Sequence, residues 1–390
     1  AGAVGIASAL SILENGQTAE LIDCDPPASG ASHGNAGVVS PWNCVPQSMP
    51  GIWKSVPGWL LDPNGPLAVK WRYIPRFLPW ALRFLRAGRA ENIDRIADAM
   101  MALTRPNVEL YRHHLKGTGA EDLLRDSYYI YIYRDPDAID LNQLGWRLRA
   151  ARGAPLHVVR DDALWELEPA LSRDYRAAVV IKDQARALDP GGIGRALAGK
   201  AQSMGAVIHR RTVHSIKPAG DGSWTITTDQ GEMDARTLVI AAGAWSARLL
   251  QPLGIRVPLE AERGYHLVLR EPGIGLNNSL VDDKWKFVAS SMHNGLRCAG
   301  TAEFAGLDAP PDYRRARLFK KLAKRMFPEA DTGVTEEWMG VRPSLPDSLP
   351  CIGPVPGFQN LYAAFGHCHH GFGMAPATGR LIANLVRGVE

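Results

Sequence analysis

Apolar and polar positions change period several times along the chain, and each change marks an element. Val4 to Asn15 is a short helical pattern of small and apolar residues, with Gly16 where a C′ glycine ends a helix. Ala19 to Asp23 reads as a buried strand ending in an acid. Residues 26 to 51 lose periodicity and fill with Gly, Ser, Pro and Asn, as loops do. Residues 90 to 115 return to a helical period, with Ile93, Ile96, Ala97, Met100, Met101 and Leu103 on one side and a break at Pro106. Ser127 to Tyr133 is a strand by composition, Leu141 to Ala151 a helix, Ala163 to Glu168 a helical turn, and Ala177 to Ile181 a strand.

A second series follows. Asp189 is placed to cap a helix that Pro190 opens, that runs to about Met204 and that Gly205 closes. Ala206 to Ile208 is a strand, and residues 213 to 236 alternate as hairpins around Asp221-Gly222 and Gln230-Gly231. Thr237 to Ser246 is a continuous apolar strand running into a small-residue turn, the pattern of a parallel sheet covered on both faces. Tyr265 to Leu269, Lys286 to Ser290 and Leu296 to Gly300 read as antiparallel strands, and Asp312 to Met326 as a basic helix. Asn360 to Phe365 is a strand, and a helix from about Ala375 to Val386 closes the pattern. Parallel-sheet segments thus sit at the start, middle and end, with antiparallel inserts between them.

Composition narrows the class. The 390 residues are 46% hydrophobic and 22% charged, ordinary for a globular protein of two to three units at roughly 150 residues each. A net charge of +4 is too thin to argue for nucleic acid. The five cysteines include no C-x-x-C pair, which favours a reducing, cytoplasmic compartment over a disulfide or zinc scaffold. Residues 53 to 89 stand apart. Trp53, Trp59, Trp71, Trp80, Tyr73, Phe77 and Phe84 alternate with Lys54, Lys70, Arg72, Arg76, Arg83, Arg86 and Arg89, against Asp62 as the one acid. This suits peripheral contact with the inner face of a membrane or with a partner subunit, or else an amphipathic excursion with snorkelling arginines. Pro75 and Pro79 are expected to break any long helix there.

The chemistry begins at residue 1. Gly2 and Gly5 have the spacing of the second and third glycines of G-x-G-x-x-G, and the chain reads as beginning partway through that motif. Asp23 lies about 20 residues on, where a carboxylate accepts hydrogen bonds from an adenosine ribose. Gly2 would let backbone approach a pyrophosphate, and Gly5 would let the helix pack on the sheet. The helix N-terminus would then offer free N–H groups and partial positive charge. The loop Ser29 to Gly37 has small residues throughout, so its N–H groups can come close to a ligand.

Four segments together resemble the amine- and amino-acid-oxidising flavoproteins of the D-amino-acid oxidase superfamily: Gly2 to Gly5 with Asp23, Ser32 to Gly37, Leu238 to Ser246, and Gly340 to Gly373. The run Arg342-Pro343-Ser344-Leu345-Pro346-Asp347-Ser348-Leu349-Pro350-Cys351-Ile352-Gly353 is similar to the D-amino-acid dehydrogenase branch. The resemblance spans nearly the whole chain, loosely over residues 50 to 125. It implies an α/β fold: an FAD-binding Rossmann-like domain with a parallel sheet (1–50, 182–260, 338–390), interleaved with an α+β substrate domain on an antiparallel sheet (51–181, 261–337).

The resemblance also implies a tightly bound FAD. Gly2, Ala3, Val4 and Gly5 would meet its pyrophosphate and Asp23 its ribose. Ala31, Ser32, Asn35, Ala36 and Gly37 would run under the flavin, Val213 would touch the adenine through its backbone, and Ala242, Gly243 and Trp245 would close the phosphate region. Gly366, Gly371, Phe372, Gly373 and Met374 would lie at the flavin's pyrimidine edge, where a helix N-terminus favours negative charge. Sarcosine-oxidising relatives carry a flavin-bonding cysteine where Gly340 stands here, so the FAD is expected to be non-covalent.

The expected reaction is oxidative deamination of a small D-amino acid to the 2-oxo acid and ammonia, by hydride transfer from Cα to flavin N5. Electrons would pass to a quinone or a partner flavoprotein or iron–sulfur subunit. Alternatives are a secondary or cyclic amine substrate (glycine, sarcosine or D-hydroxyproline type), or a flavin-binding subunit without activity of its own. Arg342 is the candidate for the substrate carboxylate because a guanidinium binds it as a fork, unless it pairs with Asp347 or Glu337. Of Tyr265 and His266, strand alternation sends one into the site, and Tyr265 is the choice. His367 is expected near the flavin ring. His367, Cys368, His369 and His370 are too closely spaced to converge on a metal, and none is expected; the histidines could alternatively titrate near neutral pH.

Overall fold

The computed structural model describes residues 1–62 and 65–388. Its largest layer is a ten-stranded sheet. Side by side run Thr335–Ser344, Glu260–Leu269, Gly295–Phe304, Phe287–Met292, Ser279–Asp282, Leu124–Tyr133, Ala177–Ala187 and Val38–Val39. Leu67–Val69 and Leu156–Arg160 attach to Gly295–Phe304 and Ala177–Ala187. The expected antiparallel sheet carries two parallel pairings, Ser279–Asp282 on Leu124–Tyr133 and Leu67–Val69 on Gly295–Phe304. The basic helix Arg314–Met326 covers one face, burying Ala316, Phe319, Leu322, Ala323 and Met326 against the sheet at helical spacing.

The parallel part is built from short strands far apart in sequence. Glu20–Asp23 pairs with Val207–Arg210, and Leu238–Ile240 with Leu361–Phe365. The first helix (Ala3–Glu14) buries Ile6, Ala9, Leu10 and Leu13 against Ile193, Leu197 and Ala201 of the helix Pro190–Ser203. Its other neighbour is the last helix, Gly371–Val386, where a Cβ on Gly379 would overlap the Ala7 carbonyl. At Gly5 an added Cβ would lie 3.6 Å from Ala241, an ordinary contact, so the helix sits on the sheet without demanding glycine there.

Several expectations shift for local reasons. The helix Ile74–Ala87 runs through Pro79. Pro75 opens it, and stacked Phe77, Trp80 and Phe84 hold it across the missing N–H. The strand expected to stop at Ile181 continues to Ala187, because Asp183 at φ +56° absorbs a bulge. Asp189 stands at its N-cap position, but its carboxylate takes Arg195 at 3.0 Å and makes no cap bond. The last helix starts four residues early. The strands Ala177–Ala187, Glu260–Leu269 and Thr335–Ser344 run across 181/182, 260/261 and 337/338, so those three domain boundaries fall inside strands.

Candidate active site

The strand ends and both helix N-termini converge on one cavity of about 2140 Å³. The first helix has neither a side-chain cap nor an acid in its first turn, and the same holds for the last helix. Both positive ends are therefore uncompensated. Gly2, Ala3, Val4 and Gly5 line the cavity at the first, Gly371, Phe372 and Gly373 at the second. Asp23, Val213, Ala242, Gly243 and a half-exposed Trp245 line it between the parallel strands. Two anion-seeking helix ends in one long cavity fit a dinucleotide such as FAD.

The small-residue loop is held from both sides. Ser32 Oγ accepts the Ala3 N–H at 2.9 Å. Asn35 Oδ1 accepts the Gly37 N–H at 2.8 Å, and buried Arg297 donates to the carbonyls of His33 (2.8 Å) and Asn35 (2.7 Å). Burial brings the Arg297 pKa down to about 10, which leaves it charged at neutral pH. Ala31, Ser32, Asn35 and Ala36 reach the wall. Gly37 stays behind it as a hinge at φ +80°, where a Cβ would meet the Ala187 carbonyl at 2.6 Å. The run Gly30-Ala31-Ser32-His33-Gly34 also has the G-x-S-x-G spacing of a hydrolase nucleophile turn. Its serine sits in a series of turns rather than at a strand-to-helix elbow.

At the far end, Glu260–Leu269 and Thr335–Ser344 pair in a register that sets Glu262 opposite Arg342 and His266 opposite Trp338. Arg342 Nη1 donates to Glu262 Oε1 at 2.6 Å and to the Thr301 carbonyl at 3.0 Å. Glu262 Oε2 accepts from Ser344 Oγ (2.6 Å) and Gln47 Nε2 (3.2 Å). The partner of Arg342 is thus Glu262, not Asp347 or Glu337; Glu337 pairs with Arg317 instead. Nε and Nη2 of Arg342 have no protein partner among the described residues, and a Cβ on Gly264 would overlap them.

Of the two candidates, Tyr265 lines the cavity and His266 does not. The Tyr265 hydroxyl is engaged by protein, donating to Glu303 Oε2 at 2.6 Å, beside Arg263. Strand alternation puts Arg263, Tyr265, Leu267 and Leu269 toward the basic helix and His266 on the loop side. His266 does not reach the cavity wall. It stacks on Trp338 at 4.8 Å with Nδ1 3.3 Å from the Gly34 carbonyl, and burial lowers its pKa to about 3. Trp338 stands in front, its indole so close to Gly34 and Gly340 that a Cβ on either would overlap it.

His367 lines the cavity and holds Thr378 Oγ1 at 2.9 Å through Nε2. His369 is exposed and lines the cavity. Desolvation lowers His367 and His369 to about 3 and His370 well below its ordinary value, so the three do not titrate near neutral pH. Cys368 Sγ turns to the Leu345 carbonyl, away from His367's partner, so the four side chains do not converge. Gly366 and Met374 are also off the wall. Gly366 turns the chain at φ +89° against Leu345, and Met374 packs in the core with Ile96 and Met100.

A family model described as FAD dependent oxidoreductase matches residues 1–385. The chain belongs to that family. This FAD-dependent oxidoreductase is 37% identical over 397 residues to a D-amino-acid oxidase of Bradyrhizobium diazoefficiens, covering all of this chain and 94% of that protein. It is 29% identical over 407 residues to a D-amino acid dehydrogenase of Allorhizobium ampelinum, covering 100% and 93%. Glycine oxidase from Geobacillus kaustophilus superposes with a TM-score of 0.73 at 21% identity, over 100% of this chain and 93% of that one. Iminodiacetate oxidase from Chelativorans sp. BNC1 gives 0.74 at 22%, over 100% and 94%. The oxidoreductase's reading from sequence missed Glu262, Arg297 and Trp338. The signal for Arg297 was a charged residue within a largely apolar strand segment.

Proposed function

We propose that the protein oxidises a small amino acid, foremost a D-amino acid, to the imino acid, which water hydrolyses to the 2-oxo acid and ammonia. The observation that carries this reading is Arg342. One side of its guanidinium is neutralised by Glu262, Nε and Nη2 have no protein partner among the described residues, and the residue lines the cavity that both helix N-termini address. FAD, held non-covalently, supplies the acceptor for the hydride lost from Cα. The first helix end would hold the cofactor's phosphates and the last would face its flavin, while Glu262, Ser344 and Gln47 fix the guanidinium plane. The relatives named D-amino-acid oxidase and D-amino acid dehydrogenase support a D-amino acid substrate. Anaerobic mixing of the FAD-loaded protein with D-amino acids, their L-forms, glycine and sarcosine tests this. Flavin bleaching is expected fastest with D-forms; no bleaching by any of them would overturn the amino-acid assignment.

The acceptor reading rests on residues 53–89. On the helix Ile74–Ala87, Ile74 (48%), Leu78 (52%), Leu82 (60%) and Leu85 (41%) are exposed on one face. Exposed Arg76, Arg83 and Arg86 flank them, and Trp53 and Leu85 reach the cavity mouth. Among the described residues no helix is long and apolar enough to cross a membrane. We infer that this face rests on an anionic bilayer and delivers electrons to a lipid-dissolved quinone. Leu78→Glu with Leu82→Glu is expected to cut sedimentation with anionic phospholipid vesicles at least tenfold. Equal sedimentation would refute the surface.

A further inference from the structure

Among the further arginines that line the same cavity, one lacks an ionic partner and sits among aromatic rings. Arg149, on the helix Leu144–Ala151, lies over the rings of Trp146 (5.1 Å) and Tyr131 (5.5 Å). Its hydrogen bonds are long: Nη1 to the Gly145 carbonyl at 3.4 Å and Nη2 to the Tyr131 hydroxyl at 3.2 Å. Nε is buried without a partner. No carboxylate pairs with Arg149 among the described residues. One turn on, Arg152 takes both Asp94 and Asp98. Tyr129 and Tyr131 share a strand face beside it, with ring centroids 5.0 Å apart, and both line the cavity. Burial raises the Tyr129 pKa well above its ordinary value, so its hydroxyl stays protonated. The corner therefore holds one uncompensated cation and two hydroxyls, with no acid.

An uncompensated cation in a half-buried, aromatic setting is costly unless an anion joins it. Arg342 differs, because Glu262 already balances it. His370 connects the two places, since both the Arg149 and the Glu262 charges act on it. With the α-carboxylate at Arg342, a second anionic group of the same substrate would supply the anion that Arg149 lacks. We propose that Arg149, with Tyr129 and Tyr131, binds a side-chain carboxylate and selects dicarboxylic amino acids. This rests on the amino-acid reading of the site and narrows it to a substrate class.

The test compares isosteric pairs on the FAD-loaded enzyme: D-glutamate against D-glutamine, and D-aspartate against D-asparagine. The wild-type kcat/KM ratio of acid to amide is expected to be about 10 to 100, the worth of one charge-assisted hydrogen-bonded pair. Arg149→Gln should bring the ratio to about one, and Arg149→Lys should restore part of it. A wild-type ratio of one or below overturns the proposal without any variant. So does an unchanged ratio in Arg149→Gln, or a loss of bound flavin in it, which would assign the arginine to the cofactor. If none of the four bleaches the flavin while other D-amino acids do, this inference alone falls; if no amino acid of the wider panel bleaches it, the amino-acid reading falls and this inference with it. If the amides bleach it as well as the acids, only this inference falls.

Discussion

Arg342→Met is expected to lower kcat/KM for an amino-acid substrate by about 10³-fold while FAD stays bound. Two charge-assisted hydrogen bonds to a carboxylate are worth about 4 kcal/mol together, which is a factor of about 10³. The loss has a second source. Glu262 would keep its carboxylate, already bonded to Ser344 and Gln47, beside the place where the substrate's own carboxylate should lie. Adding Glu262→Gln to Arg342→Met removes that repulsion and is expected to recover about tenfold of the rate. Steady-state kinetics and the anaerobic rate of flavin bleaching check both numbers. A loss under tenfold in the single variant would place the α-carboxylate elsewhere, with Arg149, also on the cavity wall, as the alternative.

The other large effect is expected far from any reacting atom. Gly379→Ala puts a methyl group into the Ala7 carbonyl and the Ser8 amide of the first helix. Backbone atoms cannot swing aside as a side chain can, so the two helices must separate. Overpacking of this kind costs about 3 kcal/mol or more. Both helices aim their N-termini at the cofactor cavity, so separation should also release FAD. A melting temperature lower by several degrees and a weaker retained flavin absorbance are the expected readouts. Gly199→Ala is the control: it is exposed on the helix Pro190–Ser203 with nothing within 4 Å of its added Cβ, and should stabilise by about 0.5 to 1 kcal/mol. Equal behaviour of the two variants would refute the close-crossing argument.

Much of this architecture was legible beforehand, because it rests on local signals. Gly16 ends the first helix at φ +78°, and Asp221-Gly222 and Gln230-Gly231 turn the hairpins as their residue types require. The site was legible where it is made of backbone: the helix N-termini and the small-residue loop. It was illegible where tertiary contacts decide. Alternation says that Tyr265 and His266 face opposite ways, but not which face the basic helix will cover. Arg342 lies eighty residues from Glu262, and only the strand register brings them opposite. Pro79 argued against a helix whose aromatic neighbours hold it in place. Arg149 lies on a short helix whose pattern does not distinguish it from solvent-facing arginines nearby.

The contact between Ala7 and Gly379 also bears on the order of events during synthesis. The first helix emerges with Ile6, Ala9 and Leu10 in need of cover. One of its two neighbours, the helix Gly371–Val386, is made only after all the segments that lie between them. The cofactor cavity cannot close until then, since it uses residues from both ends of the described chain. A growing chain of this kind must shelter the first helix until the helix Gly371–Val386 emerges. Flavin capture then waits for that segment, and free FAD should act on the yield of closed protein rather than on shorter growing chains.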